Sequence, residues 1–263
     1  MDILEQIIQY KRSEVENRKA AVSVKQLEAA RHFNRPTLSL KQSLLDKSKT
    51  GIIAEFKRKS PSKGTINSAA DVLKVTEAYT KNGASGLSVL TDQHFFGGSD
   101  EDLQIARANN IPILRKEFII DEYQVTEAKS IGADVILLIA ACLRPSEVKQ
   151  LASFARSLGL EVLLELHGED EIGHICEEAG MIGINNRNLK TSEVDIERSL
   201  RMAEMIPAEK VKIAESGISS ARSIALFKQH GFQGFLIGET FMKEPDPTIA
   251  FAEFVTTLAV THG

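Results

Sequence analysis

Eight short apolar runs recur along the chain from Gly51 onward, and they constrain the fold more than any other feature of the sequence. They cover residues 52–54, 86–90, 112–114, 135–139, 161–164, 181–184, 211–214 and 235–237. Most of these runs are continuously apolar and do not alternate with polar residues, which is typical of parallel strands covered on both faces. The pattern therefore predicts a parallel sheet buried between helices.

Helix-length segments separate the runs, among them residues 68–82, 100–110, 122–132, 146–159 and 219–231. Eight strand–helix units, spaced by roughly 20 to 35 residues, favour a closed barrel, a fold that usually needs about 250 residues. An open doubly wound sheet is the alternative, but it more often has about five or six strands and a Gly-rich first turn. We predict one α/β domain over residues 1–263, a single (β/α)8 TIM barrel at 51–263 with a helical N-terminal extension at 1–50.

The extension begins with an amphipathic helix over about residues 2–21, which carries one apolar stripe formed by Ile3, Leu4, Ile7 and Ile8. Such a segment can cover the bottom or the side of the barrel. The stretch leading into Gly51 can instead help to cover the mouth. We expect a mixture of both placements.

The charge and hydropathy of the chain exclude several classes of protein. A net charge of −4 and a pI near 5.9 argue against a broad nucleic-acid surface, which needs a surplus of Lys and Arg. No stretch reaches the roughly 18 apolar residues of a membrane span, and the N-terminus lacks a basic segment followed by an apolar run. We therefore expect a cytoplasmic protein that acts on a small molecule and binds neither nucleic acid nor membrane. We expect a monomer, with a weak dimer as the alternative.

Signatures of metals and cofactors are missing from the sequence. Cys142 and Cys176 have no CxxC spacing and are expected to be core thiols. The 6 histidines form no HExxH or similar cluster, and no GxGxxG or P-loop is present. We expect no metal and no cofactor.

Charged and polar side chains follow the apolar runs at their C-terminal ends, and no comparable set precedes them. In a β/α barrel these ends share one face, so residues distant in sequence surround one cavity. Glu55 and Lys57 have the strand parity of Ile53 and are expected to point inward, whereas Phe56 faces the helices. The charged group expected at the mouth comprises Glu55, Lys57, Lys116, Glu165 and Glu215.

A single charge at a strand end is as often a surface ion pair as a functional group. Five charges in one mouth are different, because buried like charges cost several kcal/mol unless they are compensated. Two lysines and three glutamates together predict a charged substrate or proton transfer.

Two glycine turns refine the substrate: Gly217 follows the seventh run, and Gly238 follows the eighth. Many barrels bind a phosphate there on backbone N–H groups and a short helix N-terminus. The alternative is that both glycines only provide tight turns. His167 is interpreted as a polar residue bordering its loop, with a role as general base as the alternative.

Residues 53–64, IAEFKRKSPSKG, closely resemble the first-strand signature of the indole-3-glycerol-phosphate synthase family. Further segments resemble that family's later motifs and occur in its order. They are LSVLTD at 87–92, FFGG at 95–98, LRKEFI at 114–119, ELH at 165–167, IGINNRNL at 182–189, AESGI at 214–218 and IGE at 237–239. The resemblance covers essentially the whole chain, with conservative departures such as Glu117 where the family often has aspartate.

The resemblance implies an enzyme that closes an indole ring: 1-(2-carboxyphenylamino)-1-deoxyribulose 5-phosphate loses carbon dioxide and water to give indole-3-glycerol phosphate. It implies that Lys116 is the general acid and Glu165 the general base. Lys57 would neutralise the substrate carboxylate or share the acid role. The remaining catalytic positions, which orient the lysines and bind substrate hydroxyls, would be Glu55, Glu215 and Asn185.

The same resemblance implies the residues that bind the substrate. Ser60 and Ser216 would reach its polar groups, and Arg187 would supply charge near the mouth. An apolar slot for the anthranilate ring would be formed by Phe96, Phe118 and Leu189, each of which could equally be core packing. The phosphate would be bound through the backbone N–H groups of Gly217, Gly238 and Glu239.

Two kinds of alternative remain open, because a fold alone does not determine chemistry. One is another barrel enzyme, either an aldolase that forms a Schiff base on Lys116 or a sugar-phosphate isomerase. The other is a phosphate-ligand-binding protein that has lost the chemistry, although the intact lysine and glutamate set speaks against it.

Overall fold

Eight parallel strands form a closed barrel in the computed structural model, which describes residues 2–187 and 193–260. The strands are β1 (Ile52–Phe56), β2 (Gly86–Leu90), β3 (Ile113–Lys116), β4 (Val135–Ile139), β5 (Glu161–Leu166), β6 (Met181–Asn185), β7 (Val211–Glu215) and β8 (Phe232–Ile237). Each strand pairs with its neighbour in sequence, and β1 closes the ring by pairing with β8. The predicted barrel is confirmed and the open sheet is excluded.

Helices surround the barrel and precede it. Before β1 come α1 (Ile3–Ala21), α2 (Val24–Glu28) and α3 (Leu40–Leu45). The later helices are α4 (Val72–Lys81), α5 (Asp100–Ala106), α6 (Glu122–Ile131), α7 (Pro145–Ser157), α8 (Ile196–Met205), α9 (Ala221–Gln229), α10 (Glu239–Met242) and α11 (Pro247–Val260). Within the described residues, no helix combines the length and the apolar character that a bilayer crossing requires.

Side-chain caps explain where many of these helices begin. The carboxylate of Asp71 accepts from a backbone N–H at the start of α4, and the hydroxyl of Ser99 does so for α5. Such caps satisfy N–H groups that have no partner within the helix. The helix segments named from the sequence do not include α8, α10 and α11, and the pattern missed a small hairpin that pairs residues 59–60 with 64–65 after β1.

Side chains of the odd-numbered strands fill the barrel in layers, as alternate strands do in this fold. One fully buried apolar layer consists of Ile53, Leu114, Leu163 and Ile213. Two residues further along the same strands stand Glu55, Lys116, Glu165 and Glu215. Because residues two apart on a strand point to the same face, these charged side chains enter the barrel directly above the apolar layer. Phe56 packs in the helix-facing core, as predicted.

The N-terminal extension covers both ends of the barrel. Leu40 and Leu44 of α3 belong to the interior cluster, and they lie where added Cβ atoms on Gly86 or Gly234 would meet them. These glycines stand at or near the starts of β2 and β8, so α3 closes the bottom. The N-terminal turns of α1 line the mouth instead. The expectation that the stretch before Gly51 covers the mouth is therefore wrong, because its leucines fill the open apolar bottom.

Buried ion pairs attach α1 to the barrel. Lys11 is 2% exposed, and its Nζ lies 2.9 Å from Asp92 Oδ2 and 3.0 Å from Glu117 Oε1. Further along the helix, Arg18 contacts Asp100 and Glu127 at 2.9 Å each. These contacts hold the start of the helix over the active end of the barrel.

Arg115 of β3 binds the same two carboxylates as Arg18, Asp100 and Glu127, from the side of the barrel. It is fully buried, and its Nη2 lies 2.8 Å from Asp100 Oδ1 and 2.6 Å from Glu127 Oε2. Asp92 and Arg115 also follow their apolar runs as charged residues, yet they are used to dock α1 and do not line the cavity. Strand parity separates Arg115 from its neighbour Lys116, which points inward.

Candidate active site

A cavity of about 910 Å³ opens at the C-terminal end of the barrel, a size typical of sites for small ligands. It is lined by the predicted residues Glu55, Lys57, Ser60, Phe96, Lys116, Phe118, Glu165, Asn185, Arg187, Glu215, Ser216, Gly217, Gly238 and Glu239. The remaining predicted residue, Leu189, lies outside the described residues. Strand ends scattered over much of the sequence thus meet at one cavity, as predicted.

Two lysine–glutamate pairs occupy the floor of the cavity. Lys116 Nζ lies 3.6 Å from Glu165 Oε2, and Lys57 Nζ lies 3.2 Å from Glu55 Oε1. The hydroxyl of Ser88 donates to the other oxygen of Glu55 at 3.0 Å, so this carboxylate is oriented from two sides. Ser88 was not predicted, since its small polar side chain gives no signal until β2 is aligned beside β1.

The neighbouring charges determine the protonation of the first pair. Burial opposes the charge of Lys116, but the carboxylates of Glu165 and Glu55 outweigh burial and raise its pKa. Burial likewise disfavours the charge of Glu165, yet the charge of Lys116 lowers its pKa well below the ordinary value. Lys116 is therefore a cation and Glu165 an anion.

The pKa of Glu215 is shifted in the opposite direction to that of Glu165. It is 1% exposed, and burial together with the adjacent negative charge of Glu165 raises its pKa well above the ordinary value. Two carboxyl groups this close cannot both ionise without a large cost. Folding therefore favours the protonated form of Glu215 over a wider pH range than in the unfolded chain.

The Glu215→Gln variant is expected to be more stable than the wild type at neutral pH. Since the pKa of Glu215 is raised in the folded state, its contribution to stability is present below the ordinary pKa of 4.5 and is lost as the pH rises through the folded value. The advantage of the variant should grow between pH 5 and 8, to about 0.5–2 kcal/mol. Thermal unfolding across this range measures it, with Glu253→Gln on α11 as the control. A variant that loses stability relative to the wild type as the pH rises would contradict the assignment.

Glycines make room for two of the carboxyl groups. A Cβ atom on Gly183 would lie 2.0 Å from Glu215 Oε1, and one on Gly238 would lie 2.9 Å from both Cβ and Oε1 of Glu55. Gly183 is in β6, directly between Glu165 of β5 and Ile213 of β7 in the register. Any larger side chain at these positions would compete with the carboxylates for space.

The Gly183→Ala variant is expected to lower turnover by about 10- to 100-fold, because a displacement of roughly 1 Å in a reacting constellation can cost this much. Its stability should fall by about 1–3 kcal/mol. Gly234→Ala is the matched control, since its Cβ would crowd Ile213 and Leu44 at the bottom. The control should lose stability but keep its turnover. Steady-state kinetics and urea unfolding of both variants separate the effects, and equal turnover in both would refute the role of Gly183.

The turns after β7 and β8 present backbone groups to the cavity. Ser216 and Gly217 both adopt left-handed backbone conformations, with φ of 68° and 71°. Such a conformation is uncommon for serine and is concentrated at functional sites. After β8, α10 begins at Glu239, and its first N–H groups have no partner within the helix. The Glu239 carboxylate itself lies 3.5 Å from Arg187 and 3.7 Å from Lys63.

The part of the cavity next to β2 and β3 is apolar. The rings of Phe96 and Phe118 are 5.9 Å apart, and α1 adds Ile3, Leu4 and Ile7 to the lining. The apolar stripe of α1 was predicted from the sequence, but the sequence did not show that it lines the cavity. Because β3 and β7 are four strands apart in the ring of eight, the apolar side faces the glycine turns across the mouth.

Histidine and cysteine side chains are common ligands of transition metals. His167 lines the cavity, which agrees with its interpretation as a polar lining residue. Cys142 and Cys176 are free and half-buried, and Cys142 packs against the cores. Within residues 2–187 and 193–260, no group of three or more His, Cys, Asp and Glu side chains is arranged to hold a metal ion.

Solved structures of other proteins share the fold. The chain is similar to the tryptophan synthase alpha subunit of Legionella pneumophila, with a TM-score of 0.60 over 83% of this chain and 96% of that one. The sequences are only 14% identical, so this similarity concerns the fold alone.

Sequence comparison is more specific. A family model described as indole-3-glycerol phosphate synthase matches residues 4–254. A protein of that name from Bacteroides thetaiotaomicron is 48% identical over 258 residues, 98% of this chain and 99% of that protein. Another, from Acinetobacter baylyi, is 40% identical over 254 residues, 95% and 94% of the two chains. The chain therefore belongs to the indole-3-glycerol phosphate synthase family.

Proposed function

We propose that the protein converts 1-(2-carboxyphenylamino)-1-deoxyribulose 5-phosphate to indole-3-glycerol phosphate, carbon dioxide and water. Family membership supports this reaction, and one observation in the site carries its mechanism. The oppositely charged pair of Lys116 and Glu165, 3.6 Å apart, places a proton donor beside a proton acceptor in one cavity. A dehydration that both adds and removes protons needs such a pair.

The substrate has an aromatic ring at one end and a phosphate at the other. The cavity correspondingly has an apolar side and, across the mouth, a side formed by the glycine turns. We place the ring between Phe96 and Phe118, covered by the first turns of α1. The phosphate then binds the backbone N–H groups of Gly217, Gly238 and Glu239, since such groups at turns and helix starts attract anions. The acidic side chain of Glu239 does not oppose this, because it is directed towards Lys63 and Arg187.

Lys116 acts as the general acid. When the ring carbon that bears the carboxylate attacks the ketone, negative charge develops on the ketone oxygen, and the ammonium group donates a proton to it. The C–CO2 bond then breaks, and its electrons return to the ring system. Because the surrounding carboxylates raise the pKa of Lys116, the donor is fully protonated before each cycle.

Glu165 acts as the base in the dehydration. The hydroxyl group leaves as water after it receives a proton from an ammonium group, and Glu165 removes the C–H proton whose loss makes the ring aromatic. Asn185 donates to Glu165 Oε1 at 3.3 Å and orients it. Lys57, held by Glu55, neutralises the substrate carboxylate or supplies the second proton. Ser60, Ser216 and the protonated Glu215 contact the polar groups of the sugar.

The charge of Lys116 also distinguishes the proposed reaction from that of an aldolase, which would form a Schiff base on this lysine. A Schiff base requires a neutral amine as nucleophile, whereas the carboxylates around Lys116 hold its pKa above the ordinary value. Acid catalysis is thus favoured over an aldolase mechanism. Borohydride treatment in the presence of substrate should trap no covalent adduct on Lys116.

The direct test is to add the proposed substrate and follow indole fluorescence. The chain contains no tryptophan and only three tyrosines, so the product signal has little background. Steady formation of indole is expected, with one carbon dioxide released for each indole. A folded protein that binds the substrate but forms no indole would be a binding protein, and the proposed reaction would be wrong.

A further inference from the structure

The two ring nitrogens of His167 are buried without the hydrogen bonds that such groups normally make. The side chain is 10% exposed, and it stands at the end of β5, two residues after Glu165. Among the described residues, neither ring nitrogen has an aligned hydrogen-bond partner. An unsatisfied buried imidazole costs stability, so its presence calls for an explanation other than packing.

A carboxylate lies on either side of the ring, one in contact with it and one just beyond hydrogen-bond distance. Nε2 lies 2.9 Å from Glu165 Oε1, although the contact is not aligned as a hydrogen bond, and Nδ1 lies 3.9 Å from Glu171 Oε2. Catalytic hydrogen bonds are often loosely aligned in an empty site and become shorter when the substrate binds. Together with Lys116, these groups form a chain of four titratable side chains.

The chain leads outward from the floor of the cavity. The exposed fraction of the side chain rises from 4% for Glu165 to 10% for His167 and 13% for Glu171. The outer end is held in place twice: Glu171 Oε2 accepts from the His167 backbone N–H at 2.6 Å, and the His174 ring contacts the carbonyl oxygens of Glu171 and Leu143. Glu171 is therefore a fixed end point.

The proposed reaction needs a proton supply of this kind. Two protons are donated, one to the ketone oxygen and one to the leaving hydroxyl, and only one is removed from carbon. Since the substrate carboxylate leaves as neutral carbon dioxide, each turnover consumes one proton from solution. Glu165 can return the proton that it removes to Lys116. When Lys116 donates both protons, the second must reach it while the reaction intermediate still covers the floor.

We propose that His167 is a relay residue that passes this proton from Glu171 to Glu165, and through Glu165 to Lys116. In each cycle the imidazole takes a proton at Nδ1 from Glu171 and gives one at Nε2 to Glu165, and the carboxylate passes it to the neutral amine. After the product leaves, exchange with water returns the imidazole from its Nδ1–H form to its Nε2–H form. His167 acts through Glu165 and does not touch the substrate. The titratable groups around this path are Lys116, Glu165, Glu215, Glu171, His174, Cys142 and Asp2.

This inference rests on the proposed function, so the wild type must first be shown to form indole. Replacement of His167 by glutamine or alanine then removes the relay but leaves the proton donor Lys116 and the base Glu165 in place. His167→Gln and His167→Ala are expected to lower kcat by about 100-fold, whereas KM should change by less than about twofold. Added imidazole buffer should restore turnover to His167→Ala. Because the proton moves inward, the restoration should follow the imidazolium form and increase as the pH is lowered from 8 to 6.

His230→Ala, outside the barrel at the end of α9, is the control and should not respond to imidazole. Glu171→Gln serves as the second variant, because the amide oxygen can still accept from the His167 backbone N–H while the carboxylate is lost. It should keep the wild-type unfolding temperature and show about 10-fold lower kcat.

A folded His167→Ala with unchanged kcat, or one that imidazole fails to restore, would overturn the relay and leave the proposed function intact. If His167→Ala does not fold, wild-type kcat in Glu171→Gln would overturn the relay by itself. A wild type that forms no indole would instead overturn the proposed function, and the relay with it.

Discussion

The Lys116→Ala variant is expected to lower kcat by about 10²- to 10⁴-fold, the usual contribution of a positioned general acid. Binding of inorganic phosphate should change by less than about threefold, since a proton donor acts mainly in the transition state. Steady-state kinetics and equilibrium binding to the substrate-free protein measure the two effects. Unchanged turnover would defeat the assignment.

Lys116→Arg separates the two properties of the lysine. A guanidinium group keeps the positive charge beside Glu165, but its proton is too firmly held to be donated. If Lys116 acts as an acid, the arginine variant should be nearly as slow as the alanine variant. Recovery of most of the turnover in Lys116→Arg would mean that the charge alone is required.

Arg115→Met is expected to give the largest loss of stability, about 3–5 kcal/mol, because removing one partner of a buried ion-pair network leaves the other charges uncompensated. The guanidinium of Arg115 is fully buried and binds Asp100 and Glu127. It also donates to the carbonyl oxygen of Gln124 at 3.0 Å. Urea unfolding followed by circular dichroism gives the change in the free energy of unfolding.

Arg18→Met is the matched control, since Arg18 binds the same two carboxylates from α1. Its side chain is 28% exposed, and water can replace its contacts, so the expected loss is about 1 kcal/mol or less. An equally small loss in Arg115→Met would show that the buried network contributes little to stability.

The fold was largely predictable because the signals that specify it are local. A fully covered parallel strand needs a continuous apolar run, and eight such runs identified β1 to β8. The hairpin at residues 59–65 and the short helix α10 were missed, because segments of this length give no periodic signal. They form because the barrel provides a surface on which they pack.

The candidate site was predictable to a similar extent, and for a related reason. Glu55, Lys116, Glu165 and Glu215 end strands of one barrel, and the C-terminal ends of such strands meet on one face. Residues that act by packing could not be predicted in this way. Gly183 is important for the space that it leaves beside Glu215, and the sequence around a single glycine does not indicate that role.

The sequence by itself determined the barrel and the parity that sends Glu55 and Lys57 inward, and its motifs identified the family. The first two follow from residue order, since strand alternation and apolar periodicity are properties of the local chain. Only the tertiary structure decided which charges stabilise the fold and which serve the site. Arg115 and Lys116 are neighbours in sequence, yet one anchors α1 and the other faces Glu165. The protonation of Glu215 and the exposure gradient from Glu165 to Glu171 likewise depend on distance and burial, which exist only once the strands are assembled.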